Sequence, residues 1–410
     1  MLYIDDQFYS QADLDKRFEI FRGMPELREN EGKRIAVCLD DPFEWIALCL
    51  FMKQSGGTVM PIHASTPKDG AVQMANRASC TVLFYGVLDS PLYLENESAD
   101  EEGGLLQMSS GTTGAPKCIK RSWGSIDEEL ESYVKVLPAG SDVPSLVACP
   151  VSHSYGLICG VLASLARGAQ PVILSGMNPA YLLKKVKAHQ KHLFYASPVL
   201  LHTMARLARG EKVFDQVMTS GTMLPSVWFE KIKEVSGTVL QQYGCSEAGC
   251  ISINPDVTST GEMGYVLPHL EVTAGLPGHP QEIVVTKKEE VIHTKDLGEL
   301  DHGMLTFISR LDDTINVAGL NVYPQEVEDV LLRASGVNDA VVLKKPSRLS
   351  GENVCAYYNS TEELAESELR EWCLRYLAPY QIPATFMKVN EIPKLANGKV
   401  SRKQVSELFV

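Results

Sequence analysis

Between residues 34 and 85 short apolar runs alternate with amphipathic stretches, and this alternation restricts the fold more than any other feature. Residues 34–39 read as a strand, 42–54 as a helix stopped by Gly56 and Gly57, and 58–62 as a second strand. Thr66 and Pro67 supply N-cap and first-turn chemistry for another helix, and residues 81–85 return as a strand. A βαβαβ order with right-handed crossovers makes the strands parallel and puts helices over the sheet faces. The pattern resumes downstream: helix 125–136, strand 146–149, helix 157–167 ended by Gly168, strand 171–174, a helix from Asn178-Pro179, strand 192–196 and strand 239–243. On such sheets ligands collect beyond the carboxyl ends of the strands. Gly111, His153, Gly221 and Tyr243 all fall at such ends.

One of those ends is chemically loaded. The apolar run 105–108 leads into Ser109-Ser110-Gly111-Thr112-Thr113-Gly114-Ala115-Pro116-Lys117, with two glycines, four hydroxyls and one lysine. Glycines let successive backbone N–H groups turn toward one anion, hydroxyls add donors, and a lysine adds a point charge. The stretch is not a Walker loop, because Gly111 and Gly114 are too close and Cys118 follows the lysine. Taken alone, it also reads as a polar turn after a strand.

At 410 residues the chain suits two domains. From residue 282 short alternating runs at 282–286, 291–294 and 304–309 suggest a small antiparallel section. A compact α+β tail follows, with helices at 324–333 and 366–377 and strands at 340–344 and 354–358. The boundary falls at Leu311-Asp312, dividing the chain into 1–311 and 312–410. Residues 95–104, rich in Asp, Glu, Ser and Gly, read as an exposed loop. A net charge of −13 argues against nucleic acid or an anionic membrane as partner, though a local cluster of donors can still hold a nucleotide. Ten scattered cysteines without a C-x-x-C pair read as buried free thiols in a reducing compartment. The N-terminus carries acid early and no apolar run reaches membrane-spanning length, so the expectation is a cytoplasmic protein.

The 109–117 stretch resembles the phosphate loop of the adenylate-forming superfamily, which comprises acyl- and aryl-CoA synthetases, peptide-synthetase adenylation domains and luciferases. Four further stretches resemble the family in the correct order: Gln242-Tyr243-Gly244-Cys245-Ser246-Glu247; Thr294-Lys295-Asp296; Ser309-Arg310-Leu311-Asp312-Asp313 with Gly319 and Pro324-Gln325-Glu326-Val327-Glu328; and Pro393-Lys394-Leu395-Ala396-Asn397-Gly398-Lys399. The implied fold is α/β, a large N-terminal domain of mostly parallel sheets covered by helices plus a small mobile α+β C-terminal domain. The segments before the phosphate loop and between Glu247 and Asp296 are shorter than is usual in the family.

The resemblance implies that a carboxylate is joined to the α-phosphate of ATP, with release of pyrophosphate, and that the acyl group then passes to a thiol. Two anions must meet, and a unit charge pair at about 4 Å costs about 1 kcal/mol in water but about 4 at an effective dielectric of 20. Lys399, just past the Asn397-Gly398 turn, would bridge the carboxylate and the α-phosphate. Ser109, Ser110, Gly111, Thr112, Thr113, Gly114 and Lys117 would hold phosphates, with Gly244 and Ser246 beside them; Ser246 stands where the family has threonine. Glu247 would hold Mg²⁺. Tyr243 would stack on adenine, although an aromatic ending a buried strand also suits a core. Asp296 would accept from the ribose hydroxyls and Arg310 would add a contact, with Ser309 replacing the usual glycine before it. Asp312 matches the hinge and Gly319 the thiol tunnel, or else an ordinary turn glycine. Asn316 sits where many relatives have lysine.

Amino-acid-activating relatives hold the α-amine with an aspartate in the segment matching residues 150–156, and no acid stands there. His153 and Tyr155 suit a flat or apolar acid, with His153 also a catalytic candidate. Ser197, Val199, Ser220, Gly221, Thr222 and Cys250 are the expected pocket walls, and hydroxyl-bearing walls favour a phenolic ring over a fatty chain. The chain is similar to the free-standing aryl-acid AMP ligases of siderophore pathways, those of petrobactin biosynthesis in particular. That similarity implies a small aromatic acid, with 3,4-dihydroxybenzoate the first expectation, and a separate phosphopantetheinylated carrier protein as acceptor. Two alternatives stay open: an aryl- or acyl-CoA ligase, and a non-catalytic nucleotide-binding protein. The retained Lys117, Glu247, Asp296 and Lys399 speak against the second.

Overall fold

The computed structural model describes residues 1–28, 30–98, 100–109, 117–347, 351–394, 400 and 402–409, with the backbone alone at 109, 351, 403 and 409. Within them two large sheets face each other across a shared helical layer. The six-stranded sheet has a parallel centre in the strands Val82–Gly86, Arg34–Leu39, Thr58–Pro61 and Gly104–Ser109, with Pro91–Tyr93 and Lys117–Ser122 antiparallel at its edges. In the thirteen-stranded sheet the parallel run passes through Leu2–Ile4, Pro171–Ile173, Ser145–Val147, Leu193–Ala196, Phe214–Thr219 and Ser236–Cys245.

The helix Pro42–Ser55 shows why the layers stack. Asp41 caps it by accepting from the Phe43 and Glu44 N–H groups, Pro42 occupies its first turn, and Gly56 ends it in the left-handed region at φ 72°. Phe43, Trp45, Ile46, Leu48, Phe51 and Met52 are all buried, so almost no face is left for water. A helix that is apolar all round belongs between layers. Its core joins Val37, Val59 and Leu105 of the smaller sheet to Val147, Tyr195 and Met218 of the larger. The helix Lys68–Arg77 covers the outer face of the smaller sheet, and Pro179–Lys187, Pro198–Ala208 and Ser226–Glu234 cover that of the larger.

The parallel order expected from the βα alternation holds through the centre of both sheets. The antiparallel section is larger than expected, since the strands from Gly249–Asn254 to Met304–Arg310 extend the thirteen-stranded sheet as a wing. Three local expectations are corrected. Residues 157–167 do not form one α-helix; Tyr155–Leu162 is a π-helix that passes into a short α-helix at Ala163–Ala166. Thr66 does not cap a helix, because Pro67 takes the cap position without a side-chain bond and the helix begins at Lys68. Residues 95–104 are not simply exposed: Asp100 accepts from Arg34 at 2.8 and 3.0 Å and pairs with Lys120 at 3.1 Å, with its side chain only 7% exposed.

A third sheet is built from Leu320–Val322, Ile315–Val317, Gly351–Ser360 and Val337–Ser347, with Thr385–Lys388 beside it. It packs on the helices Pro324–Leu332 and Glu366–Leu374 around its own apolar core. It meets the rest where Asp329 accepts from the Ser226 N–H and hydroxyl, each at 2.8 Å, satisfying donors at the start of the helix Ser226–Glu234. No helix among the described residues is long and apolar enough to cross a membrane. All ten cysteines are free thiols, eight of them buried.

Burial alone would raise the Asp100 carboxyl, but Arg34 and Lys120 hold it down, from 3.8 to about 2. The ion cluster therefore stabilises the fold above about pH 4 and is lost as pH falls toward 2. Asp100→Asn should cost about 1.5–3 kcal/mol at pH 7, the scale of hydrogen bonds to a charged group. Urea denaturation at pH 7 and pH 2 should show the variant and the parent converging at the lower value.

Candidate functional site

Three expected residues meet on the large sheet, two of them on adjoining strands. Asp296, in Glu290–Asp301, lies opposite Arg310, in Met304–Arg310. Tyr243, near the end of Ser236–Cys245, donates its hydroxyl to Asp296 Oδ2 at 2.7 Å, and Arg310 Nε stands 3.5 Å from Oδ1. Burial and the Asp296 charge push the Tyr243 phenol well up, so it stays a donor. The Tyr243 ring is a core side chain, 8% exposed and packed with Ala248, Ile251 and Phe307. What the site receives from Tyr243 in this arrangement is an oriented carboxylate on Asp296.

Glu247 stands exposed on the turn that joins Ser236–Cys245 to Gly249–Asn254. Gly244 permits that turn to close, since a Cβ there would lie 2.1 Å from the Gly249 carbonyl oxygen. Beneath it lies a buried ion pair between Arg121, 4% exposed, and Glu129, 1% exposed. Glu129 Oε1 accepts from the Cys250 N–H at 2.8 Å. Gly249, at φ 82°, leaves the room this needs, because a Cβ would meet Arg121 Nη1 at 2.4 Å and Glu129 Oε2 at 2.5 Å. Arg121 belongs to the strand that begins at Lys117, so one ion pair ties the root of the 109–117 loop to the turn bearing Glu247. Sequence reading missed both partners, because Lys120-Arg121 and Asp127-Glu128-Glu129 are charged runs that read as solvated faces. Cys250 was expected in the pocket wall, but both faces of its strand are buried and its thiol sits in the core.

At the ends of Leu193–Ala196 and Phe214–Thr219 the expected acid-pocket residues gather. Tyr155 donates its hydroxyl to the Met218 carbonyl at 2.5 Å, with the Ala196 carbonyl 3.5 Å away, and burial pushes its phenol well up. Ser197 caps the helix Pro198–Ala208 by accepting from the Leu200 N–H, with Val199 in its first turn. Ser220 donates to the Gln242 carbonyl at 3.1 Å, and Gly221 and Thr222 follow it, Gly221 at φ 93°. His153 is exposed, with its ring centroid 6.3 Å from that of His63, a residue the sequence reading passed over.

Ser110, Gly111, Thr112, Thr113, Gly114 and Lys399 lie outside the described residues, as does the side chain of Ser109. The flanking strands are described: Ser109 pairs with Lys117 across an antiparallel hairpin, and Lys117 is exposed. Ser246 sits in the Glu247 turn. Asp312 is exposed in a single 3₁₀ turn, Leu311–Asp313, between the second and third sheets. Gly319 is at the tip of the hairpin Ile315–Val317 to Leu320–Val322, where Ala318 at φ 51° and Gly319 at φ 89° form its two-residue loop. Asn316 Oδ1 accepts from the Gly319 N–H at 2.9 Å, giving the residue that replaces lysine a turn-forming part.

Residues 95–274 match the family model of the AMP-binding enzymes, and residues 326–399 that of the AMP-binding enzyme C-terminal domain. A 3,4-dihydroxybenzoate--[aryl-carrier protein] ligase of Bacillus anthracis is 43% identical over 405 residues, 98% of each chain. The chain belongs to the adenylate-forming AMP-binding enzymes. A long-chain-fatty-acid--CoA ligase of Escherichia coli O157:H7 is 28% identical over 77% of this chain and 63% of its own length. Among solved structures, ATP-bound MatB from Rhodopseudomonas palustris superposes with TM-score 0.86 at 19% identity, covering 98% of this chain and 93% of that one. O-succinylbenzoate coenzyme A synthetase from Bacillus subtilis, in complex with ATP and magnesium ion, gives 0.85 at 22% identity, covering 99% and 96%. The two-part architecture is thus that of adenylate-forming ligases. Glu247 fits a magnesium ion as an exposed hard oxygen donor at a strand end. No cluster of three or more His, Cys, Asp or Glu that could hold a metal occurs among the described residues.

Removing one member of the buried pair strands the other. Glu129→Ala should destabilise this AMP-binding enzyme by about 3–5 kcal/mol. Chemical denaturation against the parent checks it, and a loss below about 1 kcal/mol would mean that Arg121 finds water in place of its partner.

Proposed function

We propose that this AMP-binding enzyme is an ATP-dependent aryl-acid ligase. It joins the carboxylate of a hydroxybenzoate, best 3,4-dihydroxybenzoate, to the α-phosphate of ATP with loss of pyrophosphate. It then passes the aryl group to the phosphopantetheine thiol of a separate carrier protein. The observation that carries this is the 43% identity, over 98% of each chain, to the Bacillus anthracis ligase named for that acid and an aryl-carrier protein. A siderophore pathway of the petrobactin kind is the setting the resemblance implies, and ATP with a phosphopantetheinylated partner implies the cytoplasm.

In this reading Asp296, oriented by Tyr243 and Arg310, accepts from the ribose hydroxyls. The Tyr243 ring borders adenine from the core side, with Gly244 and Ser246 beside the nucleotide. Residues 109–114 and Lys117 hold the phosphates. Glu247 holds Mg²⁺, which when bound neutralises phosphate charge. Lys399 neutralises the repulsion between carboxylate and α-phosphate as they meet. Tyr155 presents a ring face to the acid, because its hydroxyl is already engaged. Ser197 accepts from a backbone N–H, so its O–H remains to donate; Ser220 donates to a carbonyl, so its lone pairs remain to accept. A donor and an acceptor together suit ring hydroxyls. Val199, Gly221 and Thr222 complete the wall, and His153 stands at the mouth. The division at residues 311 and 312, the hinge at Asp312 and the thiol passage at Gly319 belong to the same proposal.

Pyrophosphate exchange over a panel of hydroxybenzoates, fatty acids and amino acids should respond to the hydroxybenzoates, with 3,4-dihydroxybenzoate strongest. A clear preference for an amino acid would sink the reading. Adding CoA or a phosphopantetheinylated carrier to the preformed aryl adenylate should favour the carrier, and preference for CoA would make the enzyme an aryl-CoA ligase. Lys399→Ala should lower adenylation by roughly 10²- to 10³-fold and largely spare transfer from preformed aryl adenylate. Equal losses in both half-reactions would remove Lys399 from the role given to it.

A further inference from the structure

We propose that His63 is a nucleotide-binding residue that donates a hydrogen bond to the pyrophosphate end of ATP, opposite His153. This rests on the reading above of an ATP site.

His63 follows the strand Thr58–Pro61, which runs parallel to Gly104–Ser109 with Val59 opposite Leu105. Carried four residues on, that register brings His63 out of the sheet level with Ser109, the root of the 109–117 loop. Alternation along the strands fixes the face. Val59 and Leu105 point into the core between the two large sheets, whereas Met60, Ile62 and Leu106 point into the outer one. His63 shares the phase of Val59, so it leaves the sheet toward the 150–155 segment. Two side-chain bonds hold that segment in place: Trp45 Nε1 donates to the Val151 carbonyl at 2.8 Å, and the Ser154 hydroxyl donates to Gln107 Oε1, two residues before Ser109. His153 within it faces the His63 ring at 6.3 Å between centroids, tilted by 31°.

The ring of His63 is set as a donor. Its Nδ1 accepts from the Ser65 N–H at 3.2 Å and lies 2.7 Å from the Ser65 hydroxyl. An N–H can point at Nδ1 only if Nδ1 bears a lone pair, so the neutral ring carries its proton on Nε2. The Thr66 N–H, bonded to the His63 carbonyl at 2.9 Å, fixes the turn from which the ring projects. Beside the root of the 109–117 segment, read as the phosphate loop, the ligand chemistry is polyphosphate rather than the neutral ring of an aryl acid.

The test is calorimetric binding of ATP, AMP and inorganic pyrophosphate to the full-length parent, His63→Ala and His63→Gln, with the acid KM from pyrophosphate exchange alongside. His63→Ala should weaken ATP and pyrophosphate about tenfold or more and leave AMP within about twofold, as expected for one hydrogen bond to a charged acceptor. His63→Gln, which keeps a side-chain N–H donor, should recover most of the loss and guards against a folding defect in the alanine variant. Equal weakening of ATP and AMP, unchanged ATP affinity, or a rise confined to the acid KM would each overturn the assignment. A parent that binds ATP but shows no acid-dependent exchange would instead defeat the ligase reading while the His63 comparison still reads out.

Discussion

The buried pair of Arg121 and Glu129 is the constraint on which the site geometry depends. Two charges taken out of water are costly unless their geometry is good and their remaining hydrogen-bonding capacity is used. Here Glu129 spends its second oxygen on the Cys250 N–H, and Gly249 supplies the space by having no side chain. Arg121 Nε and Nη1 are buried without a partner among the described residues, so only the acidic member meets the second condition. One interaction thereby links three elements: the strand leaving the 109–117 loop, the helix Trp123–Val136 and the turn at Glu247. The 109–117 segment and the turn bearing Glu247 arise far apart in sequence, and this pair ties the strand that leaves the first to the second. A hydrophobic replacement could match the stability, but it would not bond a backbone N–H in the adjacent strand.

The chemistry asks a chain with an excess of acid to bring two further anions together. Long-range field offers no help with a net charge of −13, so the donors must act at contact distance and be oriented before the ligand arrives. The described residues show such prior orientation in acceptors as well as donors. Asp296 is aimed by Tyr243, Ser197 is fixed by its cap, and Ser220 is committed to a carbonyl. Prior orientation avoids reorganisation at the moment of reaction, and it is available only because strand ends from one sheet converge.

Periodicity made the sheet centres legible, because a strand or helix between layers must repeat apolar residues at its own spacing. The helix Pro42–Ser55, with aspartate, proline and glycine at its ends, could be read almost to the residue. Other features depend on tertiary contact and left little trace. Cys250 was mistaken for pocket wall because a strand buried on both faces does not reveal which face meets a ligand. Thr66 had the residue type of a cap, but Pro67 took the position. The bonds of Arg121 and Glu129 and the placement of His63 come from partners that local spacing does not disclose. Motif resemblance worked at the opposite scale: it recognised Asp296 and Arg310 without any knowledge that they face each other across two strands.

The π-helix at Tyr155–Leu162 holds one residue more per turn than its α-helical continuation. Deleting one residue from a widened turn would draw it toward the α-helical form of its continuation with little rotation of what precedes it. Within Ala163–Ala166 each residue advances the chain by about 100° around the axis, so losing one there would swing everything before it by that angle and carry the Tyr155 hydroxyl away from the Met218 and Ala196 carbonyls. Tolerance for a change of length is therefore confined to the wide stretch, and the narrow one after it is the part whose length is fixed.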